Sequence, residues 1–400
     1  MNLDFSPEDE AFRMEVRQFI EENYPAELRA SQKNKAELDR EDQLMWQKVL
    51  AKRGWAAPHW PVEWGGTDWT AVQRFIFTEE LARADTVHLV PFGLSMLAPV
   101  LLAYGTEEQK KRFLPGIYNG EIFFCQGYSE PGAGSDLANL RTRADRVTED
   151  DGKEYYIING QKTWTTWGQH ADWGFFLVRT DTECKPQAGI SFLLIDMKSP
   201  GITVKPIITV EGGHEVNDVF LDNVKVPVEN RVHEENKGWT CAKALLAHER
   251  TGIAGVAESQ FKLKAIHEIA TKEVADDGGR LIDDPAFRRK LTNIEVELEA
   301  LAMAELRVID ASAAGHEPGA ESSIFKLRGS EIKQRLTELA MEAVGYDAVP
   351  YILQGGHNEE LISEDAVGAT WDYLNIRKFS IFGGSNEVQR NIISKAVLGL

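Results

Sequence analysis

Apolar positions recur at helical spacing in the first stretch of the chain and again toward its end, while the middle breaks into short runs of β-branched and aromatic residues. Ser6-Pro7-Glu8-Asp9 reads as a helix start, with a capping hydroxyl, proline at the first helical position and acids in the first turn. Phe12, Val16, Phe19 and Ile20 then share one face. Further helices are expected over 42–52 and 71–83, and Thr106-Glu107-Glu108-Gln109 has the form of a capping box opening another that ends near Gly116. Trp55, Trp60, Trp64 and Trp69 fall in a proline- and glycine-rich connection, where aromatics wedge a loop against neighbouring helices.

After Gly120 the expected strands are 122–128, 139–147, 155–158, 173–179, 190–195, 202–208 and 217–226. No long helix separates them, which predicts an antiparallel sandwich or barrel rather than a parallel sheet. Asn159-Gly160 is a tight-turn signal and is expected to close a hairpin. Helical periodicity returns over 237–275, 284–314 and 318–345, with a last helix from Asn386 onward, as in a helical bundle. The fold class is therefore α+β: an N-terminal helical domain (1–120), a middle antiparallel β-domain (121–230) and a C-terminal helical bundle (231–400).

A chain of 400 residues, 43% hydrophobic and 27% charged, is an ordinary globular composition long enough for two or three domains. The formal net charge of −19 argues against a nucleic-acid partner, which needs clustered Lys and Arg. Cys125, Cys184 and Cys241 lie far apart without metal-ligand spacing, as expected of a reducing compartment. The acidic start is unlike a signal or transit peptide, and no apolar run approaches the roughly 20 residues that span a bilayer, so a cytoplasmic protein without membrane insertion is expected.

Three places carry candidate chemistry. The run Phe124-Cys125-Gln126-Gly127-Tyr128-Ser129-Glu130-Pro131-Gly132-Ala133-Gly134-Ser135-Asp136 would expose backbone N–H groups and hydroxyls to a flat or phosphorylated ligand, or form an ordinary loop. Trp164 offers a flat face, with the Thr166 hydroxyl two residues on and on the same side of a strand, or both serve the β-core. Glu249 shares a helix face with Ala242, Leu246, Ile253 and Val256, placing a carboxylate in an apolar stripe. Burial there would raise its pKa and suit it to removing a weakly acidic C–H proton; at the stripe edge it would pair with Arg250 or Lys243 instead. No G-x-S-x-G elbow, Walker loop, H-E-x-x-H or His/Cys ligand set is present, and the Gly132–Gly134 loop is not a dinucleotide fingerprint.

Three runs stand in order along the chain: Tyr128 to Asp136, Gln161-Lys162-Thr163-Trp164-Thr165-Thr166-Trp167-Gly168 and Phe382-Gly383-Gly384-Ser385-Asn386-Glu387-Val388-Gln389-Arg390-Asn391. By these motifs, and over essentially its full length, the chain resembles the acyl-CoA dehydrogenase family. The resemblance implies FAD, an acyl-CoA substrate and a trans-2-enoyl-CoA product. By carry-over, Gln126, Tyr128 and Ser129 line the flavin and Gly134 and Ser135 contact cofactor and substrate. Trp164 stacks, Thr166 bonds near the reactive flavin nitrogen, and Ser385 with Glu387 approaches the cofactor. Many members carry the catalytic Glu where this chain has Gly383; another branch carries it in an E-R pair, here Glu249-Arg250. The resemblance thus implies Glu249 as α-proton base, with Arg250 orienting it or reaching substrate.

Two family segments depart from the usual pattern, at Asp277-Gly278-Gly279-Arg280-Leu281-Ile282 and at Glu342-Ala343-Val344-Gly345-Tyr346. Both normally help close the FAD site across a subunit interface. The chain is also similar to larger subunits of heteromeric bacterial members acting on pimeloyl-CoA or steroid side-chain thioesters. That similarity implies a smaller dehydrogenase-like partner in an α2β2 assembly, against a homo-oligomer, with an electron-transfer flavoprotein as acceptor. The remaining alternatives are an acyl-CoA oxidase and a non-catalytic subunit that completes a partner's cofactor site.

Overall fold

The computed structural model of the protein describes residues 5–33, 38–150, 152–252, 254–313, 319, 322–352 and 359–400. The first helices are α1 (Pro7–Asn23), α2 (Ala26–Lys33), α3 (Arg40–Arg53), α4 (Ala71–Arg83), α5 (Ala98–Tyr104) and α6 (Glu107–Tyr118). The strands follow as β1 (Phe124–Gly127), β2 (Arg143–Thr148), β3 (Glu154–Thr166), β4 (Trp173–Arg179), β5 (Ile190–Asp196), β6 (Ile202–Ile207), β7 (Val216–Pro227) and β8 (Arg231–Val232). Then come α7 (Gly238–Gly252), α8 (Val256–Lys272), α9 (Pro285–Ala313), α10 (Ser322–Val344), α11 (Ala369–Ile376) and α12 (Asn386–Ile393). The α+β class stands.

Local signals fix several helix starts. The Ser6 hydroxyl accepts from Asp9 N while the Asp9 carboxylate accepts from Ser6 N, and Thr106 with Gln109 repeats the arrangement at α6. Each such cap stabilises a helix by about 1 kcal/mol.

Packing divides the chain into two compact units: one of Met1–Val49, Asp68–His88 and Arg250–Leu400, the other of Leu50–Thr67 and Leu89–Glu249. In the first, helical unit the core is built by Val256, Ile266, Phe287, Leu291, Leu298, Phe325, Ile332 and Leu336 from α8, α9 and α10. Trp69 packs edge-on to Phe12 at 4.9 Å. In the second unit the sheet runs β6-β7-β3-β2-β4-β5-β8, with β1 on β4. Its core includes Tyr156, Ile158, Phe176, Val178, Leu193, Ile195, Val219 and Val224. Trp55 and Trp60 are buried in this unit, and Trp60 Nε1 donates to Leu94 O at 2.9 Å, so these two aromatics pin the loop as expected.

Four features depart from the sequence expectation. Asn159-Gly160 closes no hairpin: β3 passes straight through it, with a register shift at Ile158/Gly160. A Cβ at Gly160 would lie 2.6 Å from Thr142 Oγ1 and 2.7 Å from Thr142 Cα, so the glycine serves a close strand approach. The sheet is mixed, because β1 reaches β4 only after two intervening strands and pairs with it in parallel from Phe124↔Trp173 to Gly127↔Phe176. The helix expected over 237–275 breaks into α7 and α8 at Gly255, whose φ of 57° is left-handed. Lastly, α2, α5 and α11 were not expected; α5 continues without a break from a π-helical turn over Phe92–Leu97, and Pro99 lies within that run.

Candidate active site

The loop after β1 is held from beneath and open above. Tyr128 is buried edge-on to Phe175 at 5.8 Å, and Ser129 O accepts from Thr163 N at 2.9 Å, tying the loop to β3. Glu130 and Ala133 exchange backbone hydrogen bonds of 3.0 Å each, turning the chain at Pro131-Gly132. Pro131, Gly132, Gly134, Ser135 and Asp136 are exposed, and Gln126 and Ser129 half-buried. A Cβ at Gly132 or Gly134 would meet nothing within 4 Å. The protein's own packing therefore does not require these glycines; they leave bare backbone facing open space, as a ligand-bearing surface would.

Beneath the loop lies an ion pair that sequence reasoning missed. Lys162, fully buried on β3, donates from Nζ to Glu130 Oε1 at 2.8 Å and to Tyr128 O at 3.1 Å. The Glu130 carboxylate also accepts from Arg141 N at 2.6 Å and Thr142 N at 2.9 Å. Burial pushes the Lys162 ammonium down to about 8 against the pull of Glu130. Burial works against the Glu130 carboxylate too, but Lys162, Thr142 and Arg141 hold its pKa below the ordinary value. Arg179 continues the support, donating from Nη2 to Ala138 O at 2.6 Å and to Leu140 O at 3.1 Å. The available signal was that Lys162 is the one charged residue from Gln161 to Gly168, and Glu130 one of two, with Asp136, from Tyr128 to Asp136.

Trp164 and Thr166 occupy the end of β3. Three steps from Lys162 to Thr165 face two from Val219 to Asn217 on β7, a bulge whose extra residue leaves the regular ladder. Trp164 takes φ of 59° and is 58% exposed, while Lys162, Thr163 and Thr165 are buried. The core reading of this tryptophan is thereby overturned. A bulky residue in left-handed conformation costs roughly 1–3 kcal/mol and persists where surroundings impose it, often at ligand sites. Thr166 retains partial exposure beside it. An exposed indole face, a partly open hydroxyl and a loop of bare backbone fit a flat flavin cofactor.

In the helical unit, Gly383 (φ 64°) and Gly384 (φ 82°) turn the chain into α12. Ser385 caps that helix, accepting from Val388 N at 3.4 Å. Asn386 is buried, its Oδ1 accepting from Lys326 Nζ at 3.0 Å and Ser330 Oγ at 3.1 Å on α10. Gln389 is fully buried and donates from Nε2 to Gly383 O and Gly384 O at 3.2 Å each. Glu387 is exposed in the first turn, and its own backbone N–H and the Ser385 hydroxyl lower its carboxyl pKa.

Gln126, Tyr128, Ser129, Gly134, Ser135, Trp164 and Thr166 thus belong to one hydrogen-bonded loop-and-strand surface, and Ser385 and Glu387 to one helix start in the other unit. Glu249 and Arg250 lie on α7, but their side chains fall outside the described residues. Of the stripe expected around Glu249, Ala242 is buried and Val256 belongs instead to α8. The two departing segments form local turns: Arg280 pairs with Asp283 at 2.9 Å, and Gly345 opens a 3₁₀ turn in which Tyr346 is 93% exposed. Among the described residues no His/Cys/Asp/Glu group could hold a metal ion, and no helix is long and apolar enough to cross a membrane.

Comparison with known proteins gives three family matches: acyl-CoA dehydrogenase N-terminal domain over residues 6–121, middle domain over 125–224 and C-terminal domain over 236–398. Acyl-CoA dehydrogenase IpdE1 of Mycolicibacterium smegmatis is 35% identical over 405 residues, covering 98% of each chain. A chain of the ChsE4-ChsE5 complex from Mycobacterium tuberculosis superposes with a TM-score of 0.85 at 32% identity, covering 100% of this chain and 99% of that one. The Tcur3481-Tcur3483 steroid ACAD superposes at 0.82 with 30% identity over 100% and 99% of the two chains. Matched along its whole length in these ways, the chain belongs to the acyl-CoA dehydrogenase family of flavoprotein oxidoreductases.

Proposed function

We propose that the protein is an FAD-dependent dehydrogenase that converts an acyl-CoA thioester to its trans-2-enoyl-CoA, with Glu249 as the α-proton base. The observation that carries the reading is Trp164, held outward in a left-handed conformation beside the open 128–136 loop. Trp164 would stack on the isoalloxazine, Thr166 would hydrogen-bond near its reactive nitrogen, and Gln126, Tyr128, Ser129, Gly134 and Ser135 would line it. Ser385 and Glu387, at the start of α12, are proposed as further cofactor contacts on the resemblance alone. When bound, the flavin supplies a two-electron acceptor for the hydride that leaves the β-carbon. Glu249 takes the α-proton onto its carboxylate as the C–H bond pair becomes the new C=C bond, and Arg250 orients that carboxylate or meets the substrate. Gly383 at the family's other base position, together with the Glu249-Arg250 pair, supports this assignment.

The division into segments 1–120, 121–230 and 231–400 is proposed as the functional one. The assembly proposed is α2β2 with a smaller dehydrogenase-like subunit, and an electron-transfer flavoprotein as acceptor. It is supported by the altered 277–282 and 342–346 segments and by the two-component names of the ChsE4-ChsE5 and Tcur3481-Tcur3483 relatives. The name of the Tcur3481-Tcur3483 steroid ACAD favours a bulky, steroid-derived acyl group. A reducing, cytoplasmic setting is proposed on the three free thiols.

Anaerobic bleaching of the flavin band tests the reading, using a panel of short, long, dicarboxylic and steroid side-chain acyl-CoAs with and without the co-expressed small subunit. Bleaching by at least one thioester is expected. A flavin-loaded protein that no acyl-CoA bleaches in either preparation contradicts it.

A further inference from the structure

Lys333 of α10 stands where two segments of the helical unit meet. Its Nζ donates to Glu258 Oε2 at 2.9 Å and lies 4.7 Å from the centre of the Phe379 ring. Glu258 sits in the first turn of α8, and Gly255 directly before that helix is left-handed. A Cβ on Gly255 would fall 2.2 Å from Lys333 Nζ and 2.7 Å from Glu258 Oε2, so the ion pair occupies the space over the junction of α7 and α8. One turn earlier on α10, a Cβ on Gly329 would fall 2.7 Å from Ala254 O and 2.8 Å from Ala254 Cα. The α10 backbone therefore rests on the residue before Gly255. On its other side, Phe379 meets Phe382 edge-on at 4.6 Å, and Phe382 opens the segment leading through Gly383 and Gly384 to α12.

The charge is matched to this place. Burial would raise the Glu258 carboxyl, yet Lys333, His88 and Lys262 outweigh it and bring it down to about 2. His88 Nδ1 lies 3.5 Å from Glu258 Oε1, and Glu305 of α9 feels the charge of Glu258 from a third element. An ammonium over an aromatic face is held electrostatically by the ring as well as by the carboxylate. Lys333 thus joins the α7–α8 junction to the Phe379–Phe382 pair by two directional contacts.

We propose that Lys333 is a positioning residue, coupling the junction that ends α7, and with it the base, to the segment that approaches the flavin. The inference rests on the assignment of Glu249 as base, because α7 ends at Gly252, three residues before the glycine that Lys333 covers. A shift of the junction moves the end of α7, and misplacement of a reacting group by about 1 Å can cost on the order of 100-fold in rate.

The test compares Lys333→Met, Glu258→Gln, their double variant and Lys333→Arg in the flavin-loaded assembly. The expected result is a fall of about 10- to 100-fold in kcat per bound flavin for each single variant, with KM and FAD dissociation constant unchanged. The double variant should be no slower than the slower single one. Lys333→Arg, which keeps both the charge and the aromatic contact, should return within about threefold of the parent. The flavin absorbance change on binding an unreactive acyl-CoA analogue should shrink in the slow variants and recover in Lys333→Arg. Parental kcat per bound flavin in either single variant overturns the proposal. So does parental kcat in the double variant, which leaves no uncompensated carboxylate and remains informative if Lys333→Met does not fold. Glu249→Gln separates the two readings: full turnover there removes the base assignment and with it the coupling to the base, whereas a slow Glu249→Gln with parental Lys333 and Glu258 variants removes the coupling alone.

Discussion

Lys162 on β3 and Lys326 on α10 are 0% and 1% exposed, and each reaches from a regular element into a segment whose tip lies open. Lys162 meets the Glu130 carboxylate at 2.8 Å, whereas Lys326 meets the Asn386 amide oxygen at 3.0 Å, which Ser330 also serves. The loop of residues 128–136 is thus braced at Glu130 by an opposite buried charge beside two backbone donors, and the start of α12 at Asn386 by a charge on a neutral acceptor beside the Ser330 hydroxyl. A buried ion pair contributes little beyond a matched apolar pair, but breaking one half leaves a charge without compensation. The two lysines therefore support similar segments with unequal consequences if lost.

The largest expected effect follows from that inequality. Lys162→Met leaves Glu130 its Arg141 and Thr142 amide bonds but no opposite charge, and should destabilise the apoprotein by about 3–5 kcal/mol. Lys326→Met leaves Asn386 its Ser330 bond and should cost about 1–3 kcal/mol. Denaturant titration of both variants decides the matter, and equal losses would break the comparison.

Next in size is Trp164→Gly. Loss of stacking should weaken flavin affinity by about 1–3 kcal/mol, in line with other base–aromatic contacts. Glycine at φ of 59° also relieves left-handed strain, so the apoprotein should become more stable by about 1 kcal/mol. Opposite signs in the two measurements sharpen the claim that the strain belongs to the ligand site. A loss of both would instead make Trp164 part of the scaffold.

A third effect concerns the helical unit alone. Burial, with Glu79 and Glu258 adding to it, raises the Glu305 carboxyl from the ordinary 4.5 to about 7. A carboxyl with a raised folded-state pKa destabilises progressively as pH climbs from the unfolded value through the folded one. Glu305→Gln should therefore leave Tm near the parent at about pH 4.5 and raise it at about pH 8. A gain that is the same at both pH values would show that charge at Glu305 is not the cause.

What could be read from sequence depended on how far a signal reaches. The caps at Ser6 and Thr106 were legible because donor and acceptor sit three residues apart. The family's three motifs were legible in order, and the structure gathers two of them on one surface. The pairing of Glu130 with Lys162 spans 32 positions and depends on the register of β3 against the loop, which no local pattern encodes. At Asn159-Gly160 the turn preference gives way to a close approach by Thr142, and at Gly255 the helix breaks beneath Lys333, a residue from another helix. Trp164 was legible as a flat face, but its outward aim follows from a bulge defined only by pairing with β7.

Glu249→Gln in the flavin-loaded assembly, mixed anaerobically with the best acyl-CoA of the panel, tests the central claim most directly. The variant should bind the thioester, seen as a perturbed flavin spectrum, while bleaching slows by about 100-fold or more for want of a base. Bleaching at the parental rate would contradict the account.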